Sequence, residues 1–187
     1  MKRVFVIHGF QGNPAKNWNP WLKKELEAKG VQVTIPAMPT PSRPIQSEWV
    51  KKIAEAVGKP DSDTFLVGHS LGCIAILKYL ESLKKSEKVG GCVFVAGFSE
   101  EIGISEIRNF FIKAVSWTKV KTHCSKFIAI QSDDDPFVPL FHGDIFKEKL
   151  GAKLIIKKNH GHFNWRTNCL KLPIALESVL ELAQTPV

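Results

Sequence analysis

The chain opens without a hydrophobic run. Met-Lys-Arg-Val-Phe-Val-Ile-His-Gly places only four apolar residues between its basic pair and the histidine. That is too few for a secretion signal or a membrane span. Cysteine is scarce as well: Cys73, Cys92, Cys124 and Cys169 form no C-x-x-C pair and no framework spacing, which argues against a disulfide scaffold. Two of the four sit inside apolar runs, where cysteine behaves as a small hydrophobe. These absences predict a reduced, cytoplasmic protein without disulfides or membrane contact.

Acidic residues are outnumbered, 18 to 26, giving a net charge of +8 and a pI near 9.4. A basic balance raises the question of nucleic acid. The lysines, however, fall in scattered pairs (Lys23-Lys24, Lys51-Lys52, Lys84-Lys85, Lys157-Lys158) with no interleaved aromatics and no nucleic-acid motif. They read as solvated faces that keep the protein soluble, and no nucleic-acid partner is expected. The stretch from Arg108 to Lys126, poor in acids, is the one place where a basic interaction surface stays open. Internal repeats, low-complexity tracts and linkers are missing too. A chain of 187 residues with 44% hydrophobic and 24% charged content therefore reads as one globular domain over residues 1–187.

What is present is an alternation. Short apolar runs at Val4–His8, Val31–Pro36, Thr64–Val67, Val89–Ala96, Lys126–Gln131 and Lys153–Lys157 predict six strands. Several are continuous and rich in Val, Ile and Phe, as strands covered on both faces of a parallel sheet are. Helical patterns fill the gaps near 20–29, 45–57, 71–85, 141–150 and 173–184, the first entered at Pro20 and closed at Gly30. The expected fold class is α/β, a mostly parallel six-stranded sheet with helices on both faces. Two segments break the rhythm: the proline-rich loop 36–44, PAMPTPSRP, and residues 97–122, long enough to be a small cap over a site.

The chemistry centres on Thr64–Leu77, TFLVGHSLGCIAIL, where a serine stands between two glycines at a strand-to-helix junction. G-x-S-x-G in that context is the nucleophile elbow. The pattern alone would recur by chance in roughly one chain of this length in sixteen, so its placement carries the argument. The plain reading is a turn whose serine caps a helix. A nucleophilic serine needs a base to take its proton, which predicts an acid and then a histidine after later strands. FIAIQSDDDPFVP supplies Asp133, Asp134 and Asp135, and KLIIKKNHGHFN supplies His160 and His162. Composition does not separate Asp134 from Asp135, or His160 from His162. The backbone N–H of Leu71, after the serine, and of Phe10, in the glycine turn His8-Gly9-Phe10, are the candidate oxyanion donors. His69, Trp117 and Phe163 are candidate substrate-binding residues. Trp18, Phe98, Phe111 and Trp165 could also line an apolar pocket, with no more than about half of the aromatics expected there. No HExxH or Cys/His pattern and no calcium loop is found, so neither a metal nor another cofactor is expected.

VFVIHGF, MP-x-P at 38–41, GHSLGCIAIL, DDPFVP and GHF together resemble the small serine hydrolases of the retinoblastoma-binding protein nine and bacterial YdeN type, from about residue 3 to the C-terminal helix. The resemblance implies a minimal α/β-hydrolase fold with a small cap. It also implies Ser70 as nucleophile, Asp135 as orienting acid and His162 as base. The L-x-C-x-E segment for which the mammalian relative is named is missing, since Ile74 and Ala75 follow Leu71-Gly72-Cys73, so that binding role does not carry over. The expected function is acyl-serine hydrolysis of small carboxylic esters or related acyl substrates, with carboxylesterase favoured over thioesterase or peptidase. Two contrasting readings are a metal-dependent hydrolase and a non-catalytic α/β-hydrolase-fold module that binds a protein partner through residues 97–122 and its basic surface. Nothing in the sequence identifies such a partner.

Overall fold

A computed structural model describes residues 1–184; residues 185–187 of the expected domain lie outside the described residues. Six strands form one sheet: β1 (Arg3–Ile7), β2 (Gln32–Thr34), β3 (Thr64–His69), β4 (Gly91–Val95), β5 (Phe127–Ser132) and β6 (Lys153–Lys157). Their order is β2-β1-β3-β4-β5-β6 and every pairing is parallel. β3, β4 and β5 are buried along their whole length, which explains why they read as unbroken apolar runs rather than alternations.

Each intervening segment folds as its punctuation dictates. α1 (Asn19–Glu27) begins at Pro20, where a missing N–H costs nothing. α2 (Gln46–Val57) buries Trp49, Ile53 and Val57 on one stripe and is stopped by Gly58 at positive φ. α3 (Leu71–Ser82) is buried from Leu71 through Leu80. α4 (Trp117–His123), α5 (Phe141–Leu150) and α6 (Pro173–Gln184) complete the set, and α5 ends on left-handed Gly151, a residue that can adopt this conformation without Cβ strain. Two apolar layers result. One joins the sheet to Trp49, Ile53, most of α3, Val120 and Phe146. The other joins the opposite face to Trp18, Leu22, Leu26, Ala175 and Val179 from α1 and α6.

The expected boundaries shift in a few places. β2 is three residues long because the chain turns away into the proline loop, and α3 stops at Ser82, three residues early. Residues 97–122, expected as an unbroken connection, carry regular structure. They hold a 3₁₀ turn over Ser105–Phe111, then α4, a helix absent from the expected set. Phe110 of the turn packs edge-on against Trp49 at 5.9 Å, and Asn109 Oδ1 accepts from the Gln46 N–H at 2.7 Å. A buried cation fastens the segment to α3: Lys78 Nζ donates to the Lys113 carbonyl at 2.7 Å and pairs with Glu81 at 3.0 Å. Glu81 in turn accepts from the Ser116 N–H at 2.6 Å.

No helix among the described residues is long and apolar enough to cross a membrane. Removing one partner of a buried ion pair leaves the other charge uncompensated. Lys78→Ala is therefore expected to cost about 3 kcal/mol, read as a lower midpoint in urea unfolding with an unchanged slope.

Candidate active site

The chain runs outward from β1 to β2 and then returns to place β3 on the other side of β1. That reversal is the topological switch point of an open parallel sheet, where ligands bind beyond the carboxyl ends of strands. Ser70 stands there, immediately after β3. Its backbone is held at φ 55°, ψ −120°, a conformation that costs a non-glycine residue about 1–3 kcal/mol. The surroundings enforce it. A Cβ on Gly68 would lie 2.8 Å from the Cα and N of Cys73, and one on Gly72 would lie 2.1 Å from the Ile7 carbonyl oxygen. Gly9 is tight but less constrained, since its Cβ would lie 3.0 Å from Cβ of Ser70. The Ser70 N–H donates to the Val95 carbonyl at 2.9 Å. The N–H groups of Leu71 and Phe10 have no protein acceptor among the described residues.

The three aspartates after β5 do different things. Asp135 has a fully buried side chain and its Oδ2 accepts from His162 Nδ1 at 2.8 Å. Its Oδ1 accepts from the N–H groups of Phe137 and Val138 at 2.9 and 3.1 Å. Asp134 points elsewhere: Oδ1 accepts from Ser132 Oγ at 2.6 Å and from the Gly161 N–H at 2.7 Å. The Ser132 hydroxyl, then the Gly161 amide, hold its carboxyl below the usual carboxylate range. Asp133 accepts from the Asn159 N–H at 2.9 Å, and Ser132 Oγ also accepts from the His160 N–H at 3.0 Å. Asp133 and Asp134 thus hold the turn that carries His162, while Asp135 meets its ring. His160 turns away, with Nδ1 2.8 Å from the Lys158 carbonyl.

The histidine is braced from below. His69 is buried, and its Nε2–H donates to the His162 carbonyl at 2.9 Å. Burial, with the neighbouring His162, pushes the His69 pKa down to about 3. Trp18 Nε1 donates to the next carbonyl, that of Phe163, at 3.0 Å. The glycine turn after β1 is braced in the same way. His8 donates from Nδ1 to the Gly9 carbonyl at 3.0 Å and accepts at Nε2 from the Met38 N–H at 3.2 Å. Acceptance at Nε2 requires neutral imidazole, and burial lowers the His8 pKa accordingly. The Gln11 N–H reaches the Pro41 carbonyl at 2.8 Å, so the proline loop acts as a buttress for residues 9–11. Of these braces the sequence signalled only the proline-rich loop. His8, Trp18, Asp133 and Asp134 carried no motif for this role.

Ser70, His162, His69 and Phe10 line one cleft of about 440 Å³. Phe98 and Trp165 line it too, while Trp18 and Phe111 do not. Two candidate substrate contacts lie elsewhere. Trp117 packs edge-on against Phe146 at 6.5 Å, and Phe163 is buried in the α1–α6 layer, each drawn into the core by its own apolar area. His69 borders the cleft, but its Nε2 is committed to the His162 backbone. Among the described residues no three His, Cys, Asp or Glu side chains are grouped to hold a metal ion.

A family model described as Serine hydrolase matches residues 4–180. The chain belongs to this serine hydrolase family. It is 32% identical to YdeN of Bacillus subtilis (strain 168) over 94% of this chain and 93% of that protein. It is 31% identical to Serine hydrolase RBBP9 of Rattus norvegicus over 87% of each. The crystal structure of the B. subtilis ydeN gene product superimposes with a TM-score of 0.95, covering 99% of this chain and 100% of that one at 31% identity. The α/β-hydrolase architecture and hydrolase function expected from the sequence both stand.

The buried neutral imidazoles give the family member a distinct acid response. A histidine whose folded pKa is depressed contributes stability that is full above its unfolded value of 6.5 and is lost as pH falls toward the folded value. His8 and His142 are shifted in the same direction by burial. Melting temperature is expected to fall between pH 6.5 and 5, before carboxylates protonate. His69→Gln, which keeps a donor, should flatten that slope in thermal melts. An equal slope in the variant would refute the assignment.

Proposed function

We propose that this family member hydrolyses small carboxylic esters through an acyl-serine intermediate. The observation that carries the reading is the buried Asp135–His162 hydrogen bond in the same cleft as a strained Ser70. Nδ1 of His162 is committed to Asp135, which leaves Nε2 bare to accept the Ser70 proton. Ser70 Oγ attacks the acyl carbon, and the carbonyl oxygen takes negative charge between the N–H groups of Leu71 and Phe10. These two donors are free of protein acceptors, so the oxyanion meets dipoles that need no rearrangement. His162 then passes its proton to the leaving oxygen, the C–O bond breaks and the acyl-serine remains. Water, deprotonated by His162, attacks the acyl carbon and releases the acid and free Ser70.

Asp135 holds the imidazole in one tautomer and stabilises its charged form. His69 and Trp18 fix the backbone that carries the ring, and His8 fixes the turn that carries Phe10. A thioester or amide would follow the same course, but the modest cleft favours esters of short acids. The substrate is a small molecule rather than a nucleic acid or a membrane lipid. The four cysteines, all unpaired and buried, fit a single reduced domain working in the cytoplasm.

Intact mass after treatment with a fluorophosphonate probe tests the mechanism. One adduct is expected on wild type and none on Ser70→Ala, with 4-nitrophenyl ester turnover lost in the same variant. Asp135→Asn should keep the fold and lower kcat by about 10⁴. Equal ester hydrolysis by Ser70→Ala and wild type would end the proposal.

A further inference from the structure

The cleft has two unlike ends, and they sit over opposite faces of the sheet. One wall is apolar: Phe98 and Ile107 belong to the layer over α2 and α3, with Ile102 and Ile104 packed on it. The other wall comes from the loop before α1 and the loop after His162, above the α1–α6 layer. It presents Lys16, Asn17, Asn164, Trp165 and Arg166. The two loops are joined by the Trp165 N–H donating to Asn17 Oδ1 at 3.0 Å, so their cations share one rim. Lys16 Nζ makes a single long contact with the Gln11 carbonyl at 3.3 Å. Arg166 lies over the Trp165 ring at 5.5 Å. Neither is in an ion pair among the described residues. The one carboxylate lining the cleft, Glu106, belongs to the apolar wall's own 3₁₀ turn and is engaged by Ser105 Oγ.

Orientation follows from the acyl-serine reading, on which this inference rests. His162 must protonate the leaving group, so that group lies beside the loop running on from His162 through Asn164 to Arg166. The acyl chain is left to the apolar wall. We infer that the preferred substrates are esters of a short apolar acid with an alcohol or phenol that carries an anionic group, carboxylate or phosphate, held by Lys16 and Arg166. The aromatic face of Trp165 favours a flat leaving group next to that charge. A cleft of about 440 Å³ suits such a small ester and is at the lower end of the range for small-molecule sites.

The test compares kcat/KM for 4-carboxyphenyl butyrate and for its neutral methyl ester, 4-(methoxycarbonyl)phenyl butyrate. Wild type should favour the anionic ester about fivefold to tenfold, the scale of two partly exposed charge contacts. In Lys16→Ala/Arg166→Ala that ratio should fall toward one. Raising ionic strength from 0.01 to 0.5 M should shrink the wild-type ratio in the same direction. A wild-type ratio at or below one, or a ratio unchanged in the double variant, overturns the inference. Fluorophosphonate labelling of Ser70 in the same preparations keeps the two questions apart. A labelled enzyme without charge preference loses only the anionic leaving group, whereas an unlabelled one loses the serine mechanism beneath it.

Discussion

The contact between the first turn of α3 and the end of β1 governs the rest of the molecule. With Gly72 in place, the helix start lies so close to β1 that even one methyl group would stand 2.1 Å from the Ile7 carbonyl oxygen. A backbone approach of that kind is available only to glycine. It forces the reversal of direction between β3 and α3 into a single residue, and Ser70 absorbs the strain. The sheet order then does the remaining work. With β1 and β4 on either side of β3, the turn after β1 and the segment after β4 arrive on opposite sides of Ser70, and β5 and β6 deliver Asp135 and His162 from one flank.

Strain of this kind persists only where the surroundings over-determine it. Here the supports are polar. Two neutral histidines, an indole N–H and two aspartates are spent on backbone atoms of the Phe10 and His162 turns. Positive φ at Gln11, Asn17, Ala96 and Phe163 accompanies them. All four lie at or beyond the carboxyl ends of strands, so the unfavourable backbone is gathered around the cleft. The lower layers, where β3, β4 and β5 lie between the helices, carry conventional apolar packing that offsets its cost.

Much of this was legible in the sequence. The elbow, the parallel alternation and the order serine, acid, histidine are local signals, because each depends on residue types within a few positions of one strand end. Which aspartate meets which histidine was not local. It depends on which side chain of each turn faces the neighbouring strand, and only the resemblance to known hydrolases pointed to it. The braces were less legible still: His8 and Met38, or Trp18 and Phe163, meet across 30 and 145 positions of chain. Trp117 was misplaced for a related reason. An aromatic in a long connecting segment has the same composition signal whether it faces the cleft or the core, and α4 turned it toward Phe146. The short β2 reflects competition between strand propensity and a proline loop needed elsewhere, to hold Gln11 and His8.

The cross-links between residues 132–135 and 159–162 also bear on how such a chain can change over time. Three hydrogen bonds and one carboxylate–imidazole contact make these two turns a single stapled unit. Its geometry is set by the pairing of β5 with β6 and not by the chain that runs between them. Only the solvent-facing positions of α5 are therefore free to vary while the stapled turns keep Asp135 and His162 in register, because the loop before it holds Asp135 through the Phe137 and Val138 N–H groups and its inner face buries Phe146. Within the runs Ser132–Asp135 and Asn159–His162 no such freedom exists, because one added residue would move every bond to the wrong partner.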